Sequence, residues 1–181
     1  MRYIVLIGKP SSGKTTIGSL LVKNKIAKGV LSIEGFRKFI YHYMPIELNK
    51  MIKEDLAWEL FKSSIVYKEY IDETAVINLC GLNAKEQKVV EELKRHNSVF
   101  IMLNCSKNVL SKRIKLRKDK SKTFPYSITR LEMVKYGFGS WIDALPFDLK
   151  IDTGRLTIKY VVNTIKNISE ARNAKETKNT K

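Results

Sequence analysis

Residues 8–15 read Gly8-Lys9-Pro10-Ser11-Ser12-Gly13-Lys14-Thr15, a full match to G-x-x-x-x-G-K-[ST]. This pattern works only at the junction of a strand and a helix, so it constrains its surroundings strongly. The flanks agree. Tyr3–Ile7 is a short apolar run of the kind that forms a buried parallel strand. Thr16–Lys25 reads as a helix, with Ile17, Leu20 and Leu21 at helical spacing.

Such a loop directs backbone N–H groups at phosphate oxygens from a helix N-terminus, where the dipole favours negative charge. Gly8 and Gly13 permit backbone angles that a side chain would resist. Lys14 is expected to reach the β/γ-phosphates and the Thr15 hydroxyl to sit on Mg²⁺. The expected nucleotide contacts are Gly8, Lys9, Pro10, Ser11, Ser12, Gly13, Lys14, Thr15 and Thr16, with ATP and Mg²⁺ as cofactors. The acceptor is not specified by the loop.

The chain has 181 residues, 44% of them hydrophobic, which suits one α/β domain with a real core. It contains no apolar run of about 18 residues, so no membrane partner is expected. The first strand begins at once, without a signal-peptide layout. Cys80 and Cys105 fall in or at the end of strands, which points to buried thiols in a reducing cytoplasm. Net charge is +16, from 34 basic and 18 acidic residues. That attracts polyanions such as nucleic acid, or small anionic substrates.

Strands are expected at 29–32, 74–80, 98–103 and 148–152 after the first. Helices are expected at 46–71 (one or a pair), 83–96, 106–118, 128–136 and 157–168. Alternating strands and helices imply a doubly wound, parallel five-stranded α/β sheet, with ligands beyond the carboxyl ends of the strands. Residues 169–181 are polar and lack apolar periodicity, so a disordered basic tail is expected after a domain spanning 1–168.

Two stretches beyond the loop carry chemistry. Glu34 follows the second strand, where it could accept the proton of an incoming hydroxyl. Arg37, one helical turn on, could hold an anionic group of the acceptor. Residues 107–122 contain eight basic residues against Asp119 alone. Arg113 and Arg117, four apart, share a helix face and could neutralise a transferring phosphoryl group. A basic lid over about residues 112–136 follows.

Together these stretches resemble the small P-loop kinases that group polynucleotide 5′-hydroxyl kinase with adenylylsulfate kinase. The resemblance rests on GKPSSGKTT at 8–16, LSIEGFRKFI at 31–40, GLNAKEQKVVEELK at 81–94 and SKRIKLRK at 111–118. DLKIDTGRLTIKYVVNTI at 148–165 is similar to the last strand and helix of both families. The resemblance implies that Glu34 is the general base, that Arg37 binds an acceptor phosphate, and that Arg113 and Arg117 are lid arginines. Lys14 completes the catalytic set. The family usually has Asp where Glu34 stands. It usually ends the third strand with an acidic or hydroxyl residue near Mg²⁺, where this chain has Asn78-Leu79-Cys80.

The expected activity is transfer of the ATP γ-phosphate to a hydroxyl. The favoured acceptor is a nucleic acid, at a 5′-hydroxyl end or on a modified DNA base. The alternatives are a small metabolite such as adenylylsulfate or a nucleoside, and a non-catalytic nucleotide-binding protein.

Overall fold

The computed structural model describes residues 3–67, 73–116 and 129–179. Five parallel strands form one sheet in the order β2-β3-β1-β4-β5. They are β1 (Tyr3–Ile7), β2 (Gly29–Ser32), β3 (Ala75–Leu79), β4 (Ser98–Asn104) and β5 (Leu149–Asp152). The helices are α1 (Lys14–Lys23), α2 (Ile33–Tyr43), α3 (Lys50–Tyr67), α4 (Ala84–Arg95), α5 (Lys107–Leu116), α6 (Arg130–Lys135) and α7 (Ile158–Asn179). The expected doubly wound architecture is present.

The central strands are apolar but for Asn78, Ser98 and Asn104, because helices cover both faces. Alternate residues go to opposite sides. Tyr3, Val5, Ile7, Ile77, Leu79, Phe100 and Met102 pack with Ile40, Trp58, Phe61, Val90 and Leu93 of α2, α3 and α4. Ile4, Leu6, Val76, Val99, Ile101 and Leu103 pack with Ile17, Leu21, Val161 and Ile165 of α1 and α7. Tyr3 is fully buried, and its hydroxyl donates to Ile65 O at 2.5 Å.

Two expected boundaries differ. The helix expected from residue 46 begins at Lys50, after a break that contains Pro45. Asn49 starts it by accepting from Met51 N at 2.8 Å. The tail expected to be disordered instead continues α7 to Asn179. Ser169 is buried and donates to Ile165 O, and Arg172 pairs with Asp148 at 2.6 Å. A helix already nucleated on the core propagates through residues of good helical propensity at little cost. Among the described residues, no helix is long and apolar enough to cross a membrane.

Candidate functional site

The Gly8–Thr15 loop follows β1 and opens α1, at the carboxyl edge of the sheet. Ser11 and Gly13 take positive φ values of 65° and 104°. That turns the chain into α1, whose first backbone bond is Ile17 N to Gly13 O at 2.9 Å. At Gly13 the φ itself requires glycine. Lys14 Nζ curls over the loop and donates to Gly8 O at 2.5 Å and Lys9 O at 3.1 Å. Ser11 and Ser12 are buried, and their hydroxyl oxygens have no hydrogen-bond partner within the protein. Buried polar atoms without partners are uncommon in folded proteins, and they fit a loop that receives a polar ligand.

Two other segments brace the loop. Thr153, just after β5, donates to Ser12 O at 2.9 Å and Asn104 O at 3.1 Å. Arg113 of α5 reaches Ser11 O at 3.3 Å through Nη1 and Thr153 O at 2.5 Å through Nη2. Beside them opens a cleft of about 270 Å³, lined by Ser12, Gly13, Thr16, Arg113, Leu116 and Leu156 among others. It combines loop, guanidinium and aliphatic walls, which suits a nucleotide with a flat apolar base. Arg117 lies outside the described residues, as does the middle of the expected lid.

On the other side of Lys14 stand the first turn of α2 and the end of β3. Glu34 is exposed there. Arg37 makes a bidentate pair with Glu54 of α3, Nε to Oε2 at 2.9 Å and Nη2 to Oε1 at 2.5 Å. Trp58 Nε1 donates to the same Oε1 at 2.7 Å, and the guanidinium lies 5.8 Å from the Trp58 ring. Cys80 follows β3, which lies between β1 and β2 in the sheet. Burial pushes its thiol up to about 11, while Lys14, Glu86, Glu34 and Arg37 all act on it through charge. The donor lysine and the two acceptor-side residues read from sequence therefore share one neighbourhood.

Asn78 is the last polar residue of β3 and is buried, with Oδ1 lacking a partner within the protein. It is in register with Leu6 and Ser32, on the sheet face that α1 covers. Gly18 of α1 lies against Val30 and Val76, where an added Cβ would stand 3.2 and 3.4 Å from their methyls. One helical turn back brings Lys14 and Thr15 above Ser32 and Asn78. Asn78 Oδ1 is therefore the neutral oxygen that β3 itself offers beneath the start of α1. Among the described residues, no three His, Cys, Asp or Glu side chains cluster as a metal site.

The segment after α6 closes this side. Lys9 Nζ donates to Tyr136 O at 2.6 Å and Val134 O at 3.3 Å, and lies 5.2 Å from the Phe138 ring. Burial and, secondarily, Lys107 hold its ammonium pKa down. Gly139 N donates to Gly81 O at 2.8 Å. The segment thus touches both the phosphate loop and the turn after β3.

Sequence reasoning missed Glu54, Thr153 and this use of Lys9. Glu54 had a signal: an acid four residues before Trp58 on the face that carries Ala57 and Phe61 needs a buried cation. Thr153 stands in the Asp-Thr pair after the last strand. Lys9 had none, because its partners are backbone carbonyls 125 and 127 positions away.

A phosphate loop at the end of the central strand of a five-stranded parallel sheet defines a P-loop α/β fold. Solved structures share this fold. A protein from Chloroflexus aurantiacus assigned as a kinase matches with a TM-score of 0.68 and 16% identity, over 94% of this chain and 96% of that one. APS kinase of Mycobacterium tuberculosis, in complex with AMPPNP and APS, gives 0.63 and 12%, over 93% and 97%. Shikimate kinase of Bacteroides thetaiotaomicron gives 0.59 and 18%, over 93% and 98%. No protein-family model and no curated protein sequence matches the chain.

Proposed function

We propose that the protein is an ATP-dependent phosphotransferase acting on a hydroxyl of a small metabolite. One observation carries the reading: the phosphate loop with Lys14 follows β1 and Glu34 follows β2, so both stand at the carboxyl edge of one parallel sheet, on either side of the end of β3. The fold it shares with shikimate and APS kinases supports a small acceptor. Glu34 takes the proton of the acceptor hydroxyl as its oxygen forms a bond to the γ-phosphorus. The bond from that phosphorus to the β–γ bridging oxygen breaks, and ADP leaves. Lys14 and Arg113 spread the charge of the transferring group, and positioning supplies much of the rate.

The residues present fit Mg²⁺ through neutral oxygens: the Thr15 hydroxyl, with Asn78 Oδ1 and Ser32 to hold metal-bound water. When bound, the ion neutralises charge on the β- and γ-phosphates. Such a site is chemically reasonable because Mg²⁺ keeps several of its waters.

Labelled-ATP transfer to a panel of hydroxylated metabolites, 5′-hydroxyl DNA and 5′-hydroxyl RNA tests the reading. Transfer to metabolites, abolished by Lys14→Ala and reduced at least about 100-fold by Glu34→Gln, is expected. Full turnover in Glu34→Gln removes Glu34 as the base. The net charge of +16 favours a nucleic-acid acceptor. Transfer to polynucleotide ends alone, weakening steeply with salt, would establish that second reading.

A further inference from the structure

We infer that the acceptor is an uncharged, hydroxylated molecule, a sugar or polyol in chemical class, because the arginine facing its site is already neutralised. The inference rests on the phosphotransferase reading above and concerns what that same site selects.

An anionic acceptor needs a cation whose charge is not spent. Arg37 has the right position, one turn after Glu34. Its guanidinium, however, meets both oxygens of Glu54 in a fork-to-fork pair. The pair is enclosed, with side-chain exposures of 12% and 8%. Trp58 supplies a third hydrogen bond to Glu54 and flanks the guanidinium. For an acid to claim Arg37 it must displace Glu54, leaving a buried carboxylate with the Trp58 N–H. Truncated or broken buried pairs are costly for that reason.

Two further cations on this side are held by other groups. Lys9 is held by the carbonyls of Val134 and Tyr136. Lys53, beside Glu54 on α3, lies 5.3 Å from the ring of Tyr41, a turn beyond Arg37 on α2. Beside Glu34, Arg37 and Glu54 therefore present a neutral pair, while Lys9 and Lys53 keep their charge but are tied to those carbonyls and that ring. Lys14 and Arg113 belong to the nucleotide. A second negative charge beside Glu34 would be repelled by it. Neutral hydroxyl groups meet neither obstacle.

The test uses the full chain with ATP and acceptors in matched pairs: glucose with gluconate, glycerol with glycerate, methyl shikimate with shikimate. The expected result is that kcat/KM favours the neutral member by about tenfold or more, the worth of one charge-assisted contact. Glu54→Gln leaves Arg37 uncompensated and is expected to move each ratio toward the acid by a similar factor. The double variant Arg37→Gln/Glu54→Gln, neutral at both positions, is expected to keep the original preference and guards against a fold defect in the single variant. A wild type that prefers the acids, or a Glu54→Gln enzyme that folds with unchanged ratios, overturns the inference and leaves the phosphotransferase reading standing. Transfer to no member of any pair, with nucleotide binding intact, overturns both.

Discussion

Glu86 fixes the turn that carries Cys80 and Gly81 into the site, and its removal is expected to be costly. The carboxylate is 2% exposed and sits at the third position of α4, in a capping box with Asn83. Cys80 N donates to Oε1 at 2.7 Å, and Leu82 N and Asn83 N donate to Oε2 at 3.0 and 3.2 Å. Hydrogen bonds to a charged acceptor are each worth about 1.5–3 kcal/mol net. Glu86→Ala frees three N–H groups, but water can enter the space left and the cost of burying a charge disappears. The remainder is roughly 3 kcal/mol, or about 6–12 °C in melting temperature for a domain of this size. Glu86→Gln keeps one acceptor oxygen and is expected to lose about half as much. Urea titration and thermal melts measure both. An alanine variant within about 0.5 kcal/mol of the parent would refute the reasoning. The pH dependence gives a second check. Burial raises the Glu86 pKa above its ordinary 4.5, against the opposing pull of the bonds from Cys80, Asn83 and Leu82. The folded state therefore binds this proton more readily than the unfolded one. Stability from this group declines as pH rises from 4.5 through the raised value. The advantage of the parent over Glu86→Gln should be largest near pH 4 and narrow toward neutrality.

Three further outcomes are expected. With its thiol pushed from 9.0 to about 11 by burial, Cys80 should react with iodoacetamide at pH 8 on the order of 100-fold more slowly than an ordinary cysteine, since the thiolate is the nucleophile; a Cys105→Ser background isolates it. Gly81→Ala adds a Cβ 2.7 Å from Phe138 Cδ1 at a φ of 75°, so a loss of roughly 2 kcal/mol is expected in denaturant titration, partly recovered by Phe138→Leu. Asn78→Asp should tighten Mn²⁺ binding to the nucleotide complex about tenfold, read by electron paramagnetic resonance, whereas Asn78→Leu should weaken it; equal affinity in all three proteins would remove Asn78 from the metal's surroundings.

The phosphate loop and the strand sequence were legible because each rests on local pattern. Tyr3–Ile7 is a wholly apolar run and Ala75–Leu79 is apolar but for Asn78, the length and composition of strands covered on both faces. Asn83 announced the start of α4 for the same reason. Glu34, Arg37 and Arg113 could be placed by their distance from a strand end. What local pattern could not convey was partnership. Arg37 looked like a cation available to an acceptor, and its charge is matched by Glu54, 17 positions on and on another helix. The helical extension past residue 168 was also hidden, since Ser169 and Arg172 reveal their contacts only once α7 lies beside β5.

The sheet order bears on how the molecule assembles. Tyr3 of β1 aligns with Ala75 on one side and Ser98 on the other, 72 and 95 positions along the chain. The central strand cannot be enclosed until more than half the chain has folded back on it, and closing loops of that length slows folding. The phosphate loop hangs from the end of that strand and is braced by Thr153, later still in the chain. During synthesis the phosphate loop therefore emerges before the strands that flank it and before the threonine that braces it. Capture of nucleotide would therefore report that the entire sheet has closed, and an N-terminal fragment carrying the whole motif should remain unable to do it.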